Sequence, residues 1–304
     1  MTQTIRSMKP WLLAVRPKTL TASVAPVTIG VGLAAAFSET AVRPALAVLA
    51  LLSATCIQIA TNLVNDAADF KRGADTAERL GPMRVTASGL LAGRHVMFAA
   101  AAFFALAAAL GIPLVVAGGV PVLVIGLLSI VAGYAYTTGP YPLAYVGLGE
   151  VFVILFFGFA AVKGMAYVLA GESLSPFAEL ASFQVGVHAA ALLAVNNCRD
   201  LDGDRKAGKR TLAARGGPRF ARVEIAVLVG LPYLAGVAWI AAGRPFAALL
   251  PLLTLPLGVR LVSGVWREPP SRRFNAFLAQ TALLQMLFAA LTAVGLVLPG
   301  VGRG

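Results

Sequence analysis

Asn62-Leu63-Val64-Asn65-Asp66-Ala67-Ala68-Asp69-Phe70-Lys71-Arg72-Gly73-Ala74-Asp75 puts two asparagines, three aspartates, a lysine and an arginine into 14 residues. It emerges from a nearly uncharged apolar run, Ala45 to Val64. A second cluster, Asn196-Asn197-Cys198-Arg199-Asp200-Leu201-Asp202-Gly203-Asp204-Arg205-Lys206, also comes straight off an apolar run. Two acidic, amide-rich clusters at the mouths of two hydrophobic helices require a chemical explanation.

The surrounding chain is that of an integral membrane protein. Of its 304 residues, 59% are hydrophobic and only 12% charged, with a mean hydropathy of +0.83; soluble domains carry roughly 25% charged residues. The net charge is +12, from 25 Lys+Arg against 13 Asp+Glu. In a soluble protein that excess would suggest nucleic acid. Here it reads as basic residues gathered in cytoplasmic loops beside anionic lipid, with no nucleic-acid partner. Cys56 and Cys198 sit in or beside apolar runs and form no disulfide framework. The basic start (Arg6, Lys9, Arg16, Lys18) leads into a span-length run without a cleavage site, so no signal peptide is expected.

Apolar runs bounded by charge or by Gly/Pro predict an all-α, polytopic fold of about nine transmembrane helices around a central cavity. Their approximate limits are 20–37, 44–64, 95–116, 120–137, 145–170, 177–198, 220–242, 245–263 and 275–298; eight and ten are the alternative counts. With the N-terminus cytoplasmic, 21 Lys+Arg fall on the inner side, counting the adjoining helix ends. Only Arg43, Arg244 and Arg303 fall outside, and Lys163 lies within helix five. That asymmetry puts both acidic clusters in the cytoplasm. The expected organisation is one domain, 1–304, with 19 cytoplasmic N-terminal residues and motif loops at 65–94 and 199–219. The clusters start four helices apart, which suggests two four-helix pseudo-repeats plus one helix, facing each other across the cavity.

Spacing supplies the chemistry. Asn62, Asp66 and Asp69 fall at i, i+4 and i+7, and Asn65 and Asp69 at i, i+4; Asn196, Asp200 and Asp204 fall at i, i+4 and i+8. Each set shares one helix face. These are hard oxygen donors suited to Mg²⁺, and no His/Cys set has zinc spacing. Aspartates near a membrane helix resist desolvation, at about 2.5–3.5 kcal/mol each at a helix centre, and repel one another. A divalent cation relieves both problems. Basic residues follow each stripe: Lys71, Arg72, Arg79 and Arg84, then Arg199, Arg205, Lys206, Lys209 and Arg210. Acid stripes beside basic loops suit a phosphorylated ligand bridged through Mg²⁺. No P-loop pattern occurs, and the apolar surroundings favour a diphosphate on a lipid tail over a nucleotide.

At this point the residues carry a resemblance. Asn65-Asp66-x-x-Asp69 with Lys71-Arg72-Gly73-x-Asp75, and Asp200-x-x-x-Asp204 with Lys206-x-Gly208-Lys209, resemble the two aspartate motifs of the UbiA-type intramembrane prenyltransferases. Arg16-Pro17-Lys18-Thr19-Leu20, Arg79-Leu80-Gly81-Pro82, Gly147-Leu148-Gly149-Glu150, Asn196-Asn197-x-Arg199-Asp200 and Gly208-Lys209-Arg210-Thr211-Leu212-Ala213 most resemble the 1,4-dihydroxy-2-naphthoate polyprenyltransferases of menaquinone synthesis. The resemblance implies prenyl transfer from a polyprenyl diphosphate to 1,4-dihydroxy-2-naphthoate, with loss of diphosphate and CO2, on the cytoplasmic face of a bacterial plasma membrane. It implies two Mg²⁺ ions, with Asn65, Asp66, Asp69, Asp200 and Asp204 as candidate ligands. Asp66, Asp69, Asp200, Asp204, Lys71 and Lys206 are the candidate catalytic residues. Asn62, Asn65, Arg72, Arg84, Asn196, Arg199 and Lys209 are candidates for holding the donor. Arg16 and Lys18 would steer the aromatic carboxylate, and Tyr134 and Tyr136 would face a carbocation. Glu150 is read from its own position, an acid inside helix five: it serves as a base, meets the acceptor, or is the structural partner of a basic residue. Overlapping i, i+4 pairs leave open which of Asn62, Asn65, Asp66 and Asp69 touches metal.

Other acceptors, namely 4-hydroxybenzoate, homogentisate, a chlorin or haem, fit the same chemistry. A cation-coupled transporter is the reading from another class; it places acids near the midplane, whereas these sit at helix ends beside basic loops. For the remaining polar residues the sequence suggests a helix–helix hydrogen bond at Gln184 and His188, and a Lys163 that snorkels to the outer interface.

Overall fold

The computed structural model describes residues 8–39, 42–73, 79–171, 174 and 176–300. Arg6, Asp75, Arg303 and the side chain of Lys18 lie outside the described residues. All regular structure in them is helical. A short helix, α1 (Met8–Val15), precedes a single turn at Pro17–Thr19. Then come α2 (Thr21–Phe37), α3 (Pro44–Lys71), α4 (93–118), α5 (120–135), α6 (Gly149–Ala170), α7 (Phe177–Lys206), α8 (Leu212–Ala241), α9 (Pro245–Arg267) and α10 (Phe274–Val297). Seven helical stretches among the described residues are long and apolar enough to cross a membrane. One of these, 93–135, divides at Gly119 into α4 and α5, and the shorter α2 brings the number to nine.

Gly119 makes that division possible. Its backbone sits at φ 66°, ψ −153°, a region open essentially to glycine alone. The chain doubles back there: a Cβ built on Gly133 would lie 3.4 Å from the Phe104 ring, which pairs positions nearly equidistant from the glycine. Helices α3 and α4 are joined by Ser53 Oγ, which donates to Ala107 O at 2.9 Å. Helices α6 and α7 approach more closely. The middle of α6, Ile154–Lys163, is wound as a π-helix, and a Cβ on Gly158 would fall 2.9 Å from the Gly186 Cα. Small residues at such crossings let backbones pack without side chains between them.

The helix ends sort to two faces. At one, Arg43 donates to Val168 O (3.0 Å), and Arg244 donates to Leu296 O (3.1 Å) and stacks over Phe37. At the other, Lys209 meets Asp69, Asn275 meets Leu80, and Arg210 N meets Tyr145 O. Both acidic clusters therefore share one end of the bundle. Between the faces Gln184 donates to Pro232 O and accepts from Trp239, the expected helix–helix bond. His188 instead packs edge-on against Phe288 and Tyr233. Lys163 does not snorkel freely; it pairs with Glu179 at 2.7 Å.

Two boundaries differ from expectation with consequences for the site. α3 runs to Lys71 and α7 to Lys206, so the first residues of the expected motif loops 65–94 and 199–219 are helical. The onset of charge marks the end of the apolar environment, whereas the backbone remains helical. Ala67 and Ala68 favour that continuation. The stripes inferred from i, i+4 spacing are consequently real helix faces.

Candidate active site

A cavity of about 1270 Å³ runs through the bundle. Its polar head is lined by Asn65, Asp69, Arg79, Asn196, Arg199, Asp200, Asp204 and Lys209. Its body is lined by apolar side chains of α2 to α7, among them Ile57, Leu127 and Phe157. Along α3 the lining reaches from Asp69 to Ala50, roughly 28 Å at 1.5 Å per residue. That is nearly the depth of a bilayer's hydrocarbon core.

The first wall is α3. Asp69, 2% exposed, receives Arg84 Nη2 at 2.9 Å on Oδ2 and Tyr145 Oη at 3.0 Å on Oδ1. Lys209 Nζ stands 3.2 Å from it. Burial first, then the adjacent Asp69 carboxylate, push the Tyr145 phenol above its ordinary value, so it stays a donor. The Tyr145 ring also carries the cations of Arg72 (5.0 Å) and Lys209 (4.9 Å) on its faces. Asn65 Oδ1 accepts from Thr137 Oγ1 at 2.7 Å.

Two expected ligands on this helix do other work. Asp66 is 1% exposed and does not line the cavity; its two oxygens accept the backbone N–H groups of Val85 (3.1 Å) and Thr86 (2.9 Å). It fastens the segment carrying Arg79 and Arg84 onto α3. Asn62 reaches the cavity edge, but its Nδ2 donates to Val15 O and Thr19 Oγ1, bracing the turn between α1 and α2. In that turn Arg16 lines the cavity with φ 54°, a strained conformation for a non-glycine residue.

The second wall is α7. Arg199, 2% exposed, binds Asp200 through two bonds, Nε to Oδ1 at 2.8 Å and Nη2 to Oδ2 at 2.6 Å. It also donates to Asn196 Oδ1 (2.7 Å) and Asn275 Oδ1 (2.8 Å). Arg79, from beyond α3, stands 3.8 Å from Asp200. Asp204 lines the cavity, and its carboxylate has no hydrogen bond or ion pair among the described residues. Glu150 lines the cavity one turn deeper, 5% exposed, and accepts from Asn197 Nδ2 at 2.8 Å. Tyr136 lines the same wall.

Five further candidates lie outside the cavity lining. Lys71, Arg72 and Lys206 are exposed at helix ends and outside the cavity lining; Arg72 donates to Gly139 O. Tyr134 is 49% exposed and turned away from the cavity. Arg84 meets Asp69 from behind the lining. Each sits on a motif segment but off the cavity lining. Sequence reasoning also missed Tyr145, Thr137 and Asn275, which carry no motif spacing.

Residues 23–288 match the sequence profile of the UbiA prenyltransferase family. The chain belongs to that family. It is 30% identical to the 1,4-dihydroxy-2-naphthoate octaprenyltransferase of Haemophilus influenzae over 96% of both chains. It is 33% identical to the Escherichia coli protein of the same name over 97% of both. The human UbiA prenyltransferase domain-containing protein 1 is 29% identical over 96% of this chain and 84% of that one. Two solved structures share the fold. The apo UbiA homolog from Aeropyrum pernix K1 has a TM-score of 0.70 at 20% identity, covering 92% of this chain and 98% of that one. The Archaeoglobus fulgidus homolog bound to GPP and Mg²⁺ has a TM-score of 0.67 at 18% identity, covering 95% and 99%. The protein is thus a multi-pass membrane prenyltransferase, most similar to the dihydroxynaphthoate branch of the UbiA family.

Proposed function

We propose that the protein transfers a polyprenyl group from polyprenyl diphosphate to 1,4-dihydroxy-2-naphthoate, releasing diphosphate and CO2, as a step of menaquinone synthesis at the cytoplasmic face of a bacterial plasma membrane. One observation carries this reading: a single cavity joins a charged, oxygen-rich head to an apolar body nearly as long as a bilayer core is thick. A diphosphate with a long hydrocarbon tail has that shape and polarity. The names of the bacterial relatives supply the acceptor and the menaquinone context.

The donor set fits Mg²⁺. Asn65 and Asp69 on one wall, and Asp200 and Asp204 on the other, offer oxygen ligands, and among the described residues Asp204 has no hydrogen bond or ion pair. Among the described residues no three His, Cys, Asp or Glu side chains are grouped closely enough to hold a metal by themselves. That suits Mg²⁺, which keeps several waters and uses one or two carboxylates plus substrate phosphates. When bound, two such ions would act as Lewis acids on the departing diphosphate. Arg79, Arg199 and Lys209 line the same head and neutralise charge growing on the leaving group. Arg84 and Tyr145 hold Asp69 in place. The apolar lining excludes water from the allylic carbon as it becomes cationic, and Tyr136 presents its ring to that region. Arg16, at the cavity edge, is placed for the acceptor carboxylate.

Purified protein supplied with polyprenyl diphosphate, Mg²⁺ and dihydroxynaphthoate yields a prenylated, decarboxylated quinol. Product with 4-hydroxybenzoate but none with dihydroxynaphthoate would overturn the acceptor.

A further inference from the structure

We propose that Glu150 is the general base that takes the ring-hydroxyl proton of the aromatic acceptor, in a subsite formed with Asn197 and Tyr136 beneath the acid stripes. This rests on the prenyl-transfer reading above.

Position comes first. Asn197 precedes Asp200 by three residues on α7, about 4.5 Å deeper along the helix. Glu150 is bonded to Asn197, so its carboxylate lies just below the level where a diphosphate would be gripped. That is where the first carbon of the donor and the acceptor ring must meet. Tyr136 closes the subsite from the end of α5. A Cβ on Gly149 would lie 3.3 Å from Tyr136 Oη and 3.1 Å from Leu193 Cδ2, so any side chain there would crowd the phenol.

Partners come second. Glu150 is 95% buried by its neighbours yet part of the cavity wall. Its one side-chain partner among the described residues is Asn197, with its own backbone N–H as a further donor. No described lysine or arginine forms an ion pair with it. Two ionisable groups that feel its charge, Tyr136 and Glu224, are acids themselves. Two of the stripe carboxylates are different, since Asp69 and Asp200 each hold two cations; Asp204, also without an ion pair among the described residues, lies on the stripe itself, one turn beyond Asp200. An acid kept at membrane depth without a cation is expensive, and such residues are retained for proton work. Asn197 holds one oxygen, Oε1, of a carboxylate whose residue lines the cavity.

The chemistry balances. The acceptor O–H gives its proton to Glu150, and the oxygen pair raises electron density in the ring. A ring π pair forms the C–C bond to the allylic carbon while the donor C–O bond breaks, its electrons leaving with diphosphate. Loss of CO2 returns the C–C pair to the ring. The carbonyl oxygen then takes the proton back, and Glu150 ends as it began.

The test is Glu150→Gln, which keeps an acceptor for Asn197. The variant is expected to retain the thermal midpoint and prenyl diphosphate affinity while kcat falls by about 10²–10⁴-fold, the usual contribution of a general base. The ratio of wild-type to variant kcat should shrink toward unity for a hydroxyarene already ionised at the assay pH. A variant equally slow with ionised and neutral acceptors shows a structural role and overturns the proposal, as does one with wild-type kcat. A measurement on the unaltered enzyme guards against misfolding. The two monomethyl ethers of the acceptor each lack one hydroxyl proton, and the isomer methylated at the oxygen facing Glu150 should bind without turning over. Full turnover of both ethers overturns the proposal. Wild-type protein that prenylates no hydroxyarene overturns the reading beneath it as well; an active wild type with an unimpaired variant overturns the base alone.

Discussion

Asp66→Asn separates holding a loop from holding a metal. The two oxygens of Asp66 take one N–H each, from Val85 and Thr86, at 1% exposure. Asparagine keeps one acceptor and turns an NH₂ group toward the other N–H. A hydrogen bond to a charged group contributes about 1.5–3 kcal/mol, and a buried donor left unmade forfeits it. Full burial leaves no solvent to soften that loss. The segment that opens is 79–92, which carries Arg79 and Arg84. Its opening equilibrium should rise about 10- to 100-fold, at 1.4 kcal/mol per factor of ten. Trypsin cleavage after Arg79 or Arg84 reads that equilibrium when reclosing outpaces cutting. Turnover falls, because the arginines facing Asp69 and Asp200 loosen, but the Mg²⁺ concentration for half-maximal rate stays at the wild-type value. Asp204→Asn should do the reverse: wild-type proteolysis, and a half-saturating Mg²⁺ raised at least about tenfold, the lower range for groups that merely support a ligand. An Asp66→Asn enzyme with wild-type proteolysis and a raised Mg²⁺ requirement would refute the assignment.

Three other outcomes are expected. Thorough chelation with EDTA stops turnover, and added Mg²⁺ restores it; activity that survives chelation would remove the metal from the mechanism. Tyr145→Phe deletes the donor to Asp69 but leaves the ring beneath Arg72 and Lys209, so kcat/KM for the donor should fall by about tenfold, one hydrogen bond to a charged group. Because the Tyr145 pKa is raised, the phenol keeps its proton above its ordinary value of 10.0, and the wild-type to Phe ratio should stay flat below that pH; a ratio that collapses on the alkaline side would show the phenol ionising. Gly158→Ala places a Cβ 2.5 Å from Ser182 O and 2.9 Å from Gly186 Cα, both backbone atoms, so α6 and α7 must part. Overpacking of that kind costs about 1–3 kcal/mol, and an unchanged thermal midpoint in detergent would contradict the close approach.

What the sequence disclosed follows from what spacing encodes. Apolar runs marked the spans because a bilayer imposes length and composition together, and Gly118-Gly119 with Pro121 marked the fold-back between α4 and α5. Spacing also placed Asn62, Asp66 and Asp69 on one side of α3. It could not tell which part of that side faces the cavity and which faces the returning loop, and that distinction sets Asp66 against the loop backbone while leaving Asp69 in the cavity's polar head. Tyr145 was invisible for another reason. It reaches Asp69 across 76 residues of chain from a short turn at Leu143–Tyr145, and such a contact belongs to tertiary structure alone. Tyr134 and Tyr136 show the same limit at close range, since two residues on a helix differ by about 200°. One faces outward and the other lines the cavity.

The cations of this site are exchanged between its halves, and that arrangement bears on how the cleft can work. Arg79 follows α3 in the chain but stands at Asp200 on α7; Lys209 follows α7 but stands at Asp69 on α3. Each loop thus crosses to the opposite wall, and the acids and bases form two struts across the mouth of the cavity. Asn275, bonded to both Arg199 and Leu80 O, ties the loop after α3 to α7 from α10. A diphosphate entering the head must draw Arg79 and Lys209 toward its own oxygens. Doing so removes a compensating charge from Asp200 and from Asp69 at once, and buried carboxylates that lose a cation must gain another or protonate. Under the proposed function a divalent ion at each wall meets that need, so diphosphate and metal should bind cooperatively. Lys209→Met, which deletes one strut and leaves Asp69 to Arg84 alone, should weaken donor binding while tightening Mg²⁺ binding in the donor's absence. Those two affinities moving in the same direction would mean that Lys209 serves Asp69 only as a structural partner.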